Sequence, residues 1–222
     1  MQFQAKEKHH LLRFKCKNCG SCCKSTMIVL YPFDIKNICA HLTLTSTEFH
    51  QQYSVFSLDE TQLERCLLRN RPDCPFRANR QCQIYPSRPI RCRLYPLGRY
   101  FETDQITYLI AGQDCLGFES GKKQTIAEWL EQQDITKFDQ LTKDWNNFLI
   151  RLKEDEQRGG KMFRVIFRKV FYDFDDQLIQ KYRQQLRPET SLAEFMGNLY
   201  ELFEMLTTHA PRFEQAGPRG SQ

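Results

Sequence analysis

A chain of 222 residues, 41% hydrophobic and 27% charged, is sized for one domain with additions or two small ones, and its composition excludes a disordered chain. The net charge of +5 comes from 32 Lys and Arg scattered among 27 Asp and Glu, not from a basic stripe, which argues against nucleic-acid binding. No run approaches the roughly 20 apolar residues of a membrane span, and the opening "MQFQAKEKHHLLRFK" has no apolar centre of a secretory signal, so the expected compartment is the reducing cytoplasm.

All ten cysteines and most of the prolines precede residue 116. His9 and His10 read as a frayed polar start rather than as metal ligands. "CKNCGSCCK" (16–24) follows, then "TMIVLYP" (26–32), which predicts a short strand entering a turn. Asp34 is placed to cap a helix carrying Ile35, Ile38, Cys39 and Leu42. Thr45 and Glu48 form a capping-box pattern that opens a second helix with Phe49 and Tyr53 inward. Residues 74–99 hold Pro75, Pro86, Pro89 and Pro96 and read as a rigid wrap rather than a helix. "QITYLIAG" (105–112) alternates like a strand.

The later residues read as helices. Thr125 and Glu128 open one toward Leu130, and a longer one runs from about 135 to 152 with Phe138, Leu141, Trp145, Phe148, Leu149 and Leu152 at helical spacing. Gly159-Gly160 ends it. A third spans roughly 163 to 186, from Phe163 through Phe174 and Leu178 to Tyr182, and Pro188 closes it. Ser191 to Glu194 starts the last, with Phe195, Leu199, Leu202 and Phe203 inward. Helical period accounts for these aromatic stripes as core rather than as a ligand groove. The expected class is α+β, mostly helical: a loop-rich, metal-centred N-terminal half with short strands, and a helical C-terminal half packed on it. The expected units are residues 14–118, 119–209 and a disordered tail at 210–222.

Ten cysteines in a reducing compartment favour metal ligation over disulfides. Cys16, Cys19 and Cys22 repeat a C-x2-C step, which lets thiolates on one tight loop face one centre, and Gly20 permits the bend. Such runs hold iron–sulfur clusters, with the remaining ligand from elsewhere. A zinc ribbon has two separated C-x2-C knuckles. The second group, Cys74, Cys82, Cys92 and Cys115, has none, with seven, nine and 22 intervening residues, which favours iron–sulfur over zinc. Cys22 and Cys23 are strained as a pair on one ion, so one completes the first site and the other reaches a second metal, another edge of the cluster, or nothing; a redox-active vicinal disulfide is the alternative. Arg88 and Arg91 crowd the second group, where cations stabilise thiolates and bond to sulfurs. Binding an anionic substrate is the other reading. For Arg93 and Arg99, ordinary solvated surface charge stays open as well.

The ordered set "CxxCGxCC", Asp34-Ile35, "CPF", "CQIYPSRPIRCRLYPLG" and Cys115 resembles the YkgJ-type cysteine-cluster family of zinc- or iron-chelating domains, over about residues 14–118. The resemblance implies a ligand set of Cys16, Cys19, Cys22, Cys23, Cys74, Cys82, Cys92 and Cys115. Cys39 and Cys66 are extra to it and read as small buried hydrophobes. Some relatives are tied to methylation of flagellin lysines. That activity is not carried over, because the C-x3-C-x2-C run of radical S-adenosylmethionine enzymes and a G-x-G-x-x-G loop are both missing. The expectation is a cysteine-ligated centre, a 4Fe–4S cluster favoured over zinc, serving electron transfer or an unidentified redox or group-transfer step with an unknown redox donor. The alternative is a structural zinc module acting on a protein partner.

Overall fold

The computed structural model describes residues 6–17, 20, 22–25, 27–59, 62–69, 73–79, 81–101, 106–110, 115–154 and 160–208. Cys19, Thr26, Gly159 and the tail at 210–222 lie outside them. Along the described chain come β1 (Leu11–Phe14), α1 (Cys22–Ser25), α2 (Pro32–Leu42), α3 (Ser46–Tyr53), β2 (Ser54–Leu58), β3 (Glu64–Leu68), β4 (Arg77–Ala78) and β5 (Gln81–Cys82). A 3-10 turn at Tyr85–Ser87 leads into α4 (Ile90–Leu94), β6 (Leu97–Phe101), β7 (Ile106–Ile110), β8 (Phe118–Thr125) and α5 (Ile126–Gln132). After a second 3-10 turn at Thr136–Phe138 come α6 (Asp139–Glu154), α7 (Lys161–Phe171), α8 (Gln177–Arg183) and α9 (Leu192–Thr208). This is the mostly helical α+β class, its strands joined as antiparallel pairs β1–β8, β2–β3, β4–β5 and β6–β7.

Local chemistry explains most boundaries. Thr45 and Thr125 cap α3 and α5, each hydroxyl accepting from the backbone N–H of Glu48 or Glu128, whose carboxylate accepts from the cap residue's own N–H. At α9 the Ser191 hydroxyl accepts from the Glu194 N–H, while the Glu194 carboxylate accepts from the Thr190 N–H and the Ser191 hydroxyl. The β1–β8 pair follows from alternation, with Leu12 and Phe14 buried and Leu11 and Arg13 exposed.

Four expectations change. The strand foreseen at 26–32 is a single bridge, Val29 to Leu67, followed directly by α2. That helix starts at Pro32, two residues before the cap assigned to Asp34, because proline suits a first turn. Residues 136–138 form a 3-10 turn before α6 rather than one continuous helix. The helix foreseen over 163–186 breaks between Phe171 and Gln177. The acidic run there has better partners elsewhere. Asp173 accepts from the Thr47 hydroxyl, Asp175 from the Ser46 N–H, and Asp176 caps α8 through the Leu178 N–H. The break turns Leu178 outward, to 56% exposure, and buries Ile179 instead.

The helical elements bury a shared aromatic core. Phe203 on α9 lies 5.1 Å from Phe171, 5.4 Å from Phe163 and 5.9 Å from Phe167, ring centre to ring centre. The cysteine-bearing part packs on it. Phe33 stacks on Phe138 at 5.9 Å, Phe56 meets Tyr172 at 5.7 Å, and Arg168 pairs with Glu64 of β3. Phe203→Ala is expected to lower stability by about 3–5 kcal/mol. Leu178→Ala should shift it by no more than about 0.5 kcal/mol. Urea unfolding decides this, and equal losses would contradict the break after α7.

Candidate metal centre

The first cysteine loop leaves β1 just past Phe14, whose ring is held between Phe118 and Trp129, each 5.3 Å away. Gly20 sits at φ +73°, in the left-handed region, and its carbonyl accepts from the Cys23 N–H at 3.0 Å. This turn sets Cys22 and Cys23 at the start of α1.

The second group is docked onto the first through the backbone. Cys74 N–H donates to the Cys23 carbonyl at 3.1 Å, and Arg77 N–H donates to the Cys74 carbonyl at 3.1 Å. The β4–β5 pair then sets Arg77 opposite Cys82. Cys92 lies on α4, a correction to the reading of 74–99 as helix-free. The prolines flank the helix rather than interrupt it: Pro89 is its cap residue and Pro96 follows its end. Its first turn is held by Asp34. That buried carboxylate accepts from the Ile90 N–H through Oδ1 and from the Tyr31 N–H through Oδ2, both at 3.0 Å, so it serves two helix starts at once. Burial pushes its carboxyl up to about 7, against the two N–H groups and the nearby Arg93 and Arg91.

Cys16, Cys22, Cys23, Cys74, Cys82 and Cys92 line one chamber of about 130 Å³. Among the described residues no three Cys, His, Asp or Glu side chains are drawn together tightly enough to hold one ion, so the thiols stand around the space rather than at a point. The adjacent thiols share a hydrogen bond. It raises Cys22, together with burial, and with Arg77 it brings Cys23 down to about 7 against the opposing effect of burial. Burial raises Cys74 to about 11 and raises Cys82 and Cys92 as well. Cys19 lies outside the described residues. Cys115 does not line the chamber. Its sulfur accepts from the Gly117 N–H at 3.4 Å, and the Gly117 carbonyl accepts from the Lys15 N–H, so its turn lies against the segment entering Cys16. Cys39 and Cys66 are buried apart from the chamber with thiols pushed up by burial to about 12, as small hydrophobes should be.

Arg77, Arg88, Arg91 and Arg93 line the same chamber. Arg88 donates to the Tyr85 carbonyl and to Gln133 Oε1 at 2.7 Å, and lies 3.7 Å over the Tyr85 ring. Arg91 is exposed at the rim. Arg93 is not solvated surface charge. It is 8% exposed and donates to the carbonyls of Arg88 and Pro86. Arg99 is also buried, but away from the chamber, tying β6 to Thr142 and Asp139 of α6. The residues that sequence reading missed are Arg77, Trp129 and Gln133. The only local signal is for Arg77, three positions past Cys74; Trp129 reaches the chamber from α5 and Gln133 from the cap just after it.

Residues 15–116 match the model of the CxxCxxCC family, described as a "putative zinc- or iron-chelating domain". The match spans slightly under half of the chain, and the family's description supports metal binding by this segment. No curated protein and no solved structure was found to match. Among the described residues no helix is long and apolar enough to cross a membrane.

Asp34 gives the centre a pH signature. Its folded-state pKa lies above the ordinary 3.8, so the stability linked to its protonation is complete below about pH 4 and is lost as the pH rises through about 7. Asp34→Asn should lose about 1–2 kcal/mol near pH 4, because an amide oxygen serves only one of the two N–H groups, and the deficit should shrink as the pH rises. It should also lack the decline between about pH 4 and 8 that the parent shows. Parallel pH profiles of thermal unfolding would rule the titration out.

Proposed function

We propose that the chamber holds an iron–sulfur cluster, 4Fe–4S by preference, and that the protein is a cytoplasmic redox protein serving electron transfer or a redox or group-transfer step with a redox donor. The ligands are drawn from Cys16, Cys19, Cys22, Cys23, Cys74, Cys82, Cys92 and Cys115. The observation that carries the reading is the chamber's lining. It has six thiols and four guanidiniums, with no carboxylate or imidazole among the described residues. An all-sulfur donor set selects soft metals and leaves calcium and magnesium without their oxygen ligands. A zinc ion is gripped by four sulfurs at about 2.3 Å, whereas these thiols surround about 130 Å³ of space. When bound, such a cluster supplies one-electron chemistry. Arg88 and Arg91 offset thiolate charge, while Phe14, Phe76, Ile84 and Trp129 keep water from that side of the chamber. The described cysteines carry no disulfide, which suits the reducing cytoplasm.

Anaerobic purification followed by metal, sulfide and absorption analysis tests this. A brown protein that contains iron and sulfide and is bleached by dithionite is expected. A colourless protein with stoichiometric zinc would overturn the redox reading and make the centre structural, with the helical half as its partner surface. Cys92→Ser should lose most of the bound iron, whereas Cys39→Ala should keep it. Equal iron content in the two variants would remove Cys92 from the ligand set.

A further inference from the structure

We infer that Arg77 is the clamp that holds the first cysteine loop closed on the chamber. Its guanidinium lies directly against the Cα of Gly20. A methyl group on Gly20 would overlap Arg77 Nε, Cζ and Nη2. The glycine is therefore required twice, for its φ of +73° and for this approach. The main chain of Arg77 is committed to the other cysteine segment, donating to the Cys74 carbonyl and standing opposite Cys82 in the β4–β5 pair. Cys74 in turn donates to Cys23, and Cys23 to Gly20. One residue thus closes a ring through the segments of Cys23, Cys74 and Cys82, its backbone on one side and its side chain on the other. Arg88 and Arg93 are engaged with carbonyls on the α4 side and do not do this. Arg77 is a positioning residue: it fixes where the loop thiols stand and adds one positive charge beside them. This rests on the chamber being the metal centre.

The test uses the full chain purified anaerobically with whatever metal it holds, following release of that metal to a colorimetric chelator, with circular dichroism as the check on folding. Arg77→Gln should release metal roughly 10- to 100-fold faster than the parent, the range for loss of a residue supporting metal ligands. Gly20→Ala, which displaces the guanidinium, should do the same, and the double variant should be no faster than the worse single one. If the metal is iron, Arg77→Gln should also lower the midpoint potential, and Arg77→Lys should restore the potential but only part of the retention, because lysine keeps the charge without the planar contact. A parent that binds metal, with Arg77→Gln releasing it at the parental rate, overturns the clamp while leaving the centre standing. A folded parent that binds no metal overturns both.

Discussion

A buried carboxylate at the junction of two helix starts organises the cysteine-bearing part of this protein. Asp34 accepts hydrogen bonds from the starts of two helices, and one of those helices presents Cys92. A buried carboxylate is costly unless its oxygens are served, and the first-turn N–H groups of a helix are costly unless they are accepted. Each shortage satisfies the other. That exchange lets a five-residue helix stand in a stretch dense with proline, and it fixes the α4 thiol relative to α2 at the base of the fold.

Around that anchor, the cysteine segments are assembled by main-chain bonds more than by side chains. Gly20, Cys23, Cys74 and Arg77 form one relay of carbonyls and N–H groups across two distant stretches of sequence. The described cysteines carry no disulfide. This part buries a core of its own, with Phe33, Ile35, Ile38, Phe49 and Leu68 among its enclosed side chains. The aromatic core of the later helices meets it through Phe33 on Phe138, Phe56 on Tyr172 and the Arg168–Glu64 pair.

Features whose partners are close in sequence were legible beforehand. The capping boxes at Thr45 and Thr125 and the Ser191 cap need only a neighbour three residues on, and the aromatic stripe of α6 repeats at one period. The cysteine set that supplies the six thiols is implied by the family resemblance rather than by spacing alone, and it counts Cys115, which stands outside the chamber. What could not be read depends on distant partners. The break after Phe171 exists because Asp173 and Asp175 bind Ser46 and Thr47, while the apolar period runs on unchanged through Phe174. Arg93 and Arg99 look like surface charge until Pro86, Thr142 and Asp139 are found beside them. Arg77 carries no motif, and its role depends on a glycine on another loop.

The β1–β8 pair brings the two ends of the family-matched segment together, and β8 runs straight into α5, whose first N–H groups bond to the carbonyls of His10 and Lys8. Trp129 on that helix and Gln133 at its C-terminal cap help to wall the chamber. Cutting the chain where the family match ends, at residue 116, would strip β1 of its partner strand and open one side of the chamber to solvent. The smallest piece able to keep the chamber walled is therefore longer than the family's own boundary and includes α5.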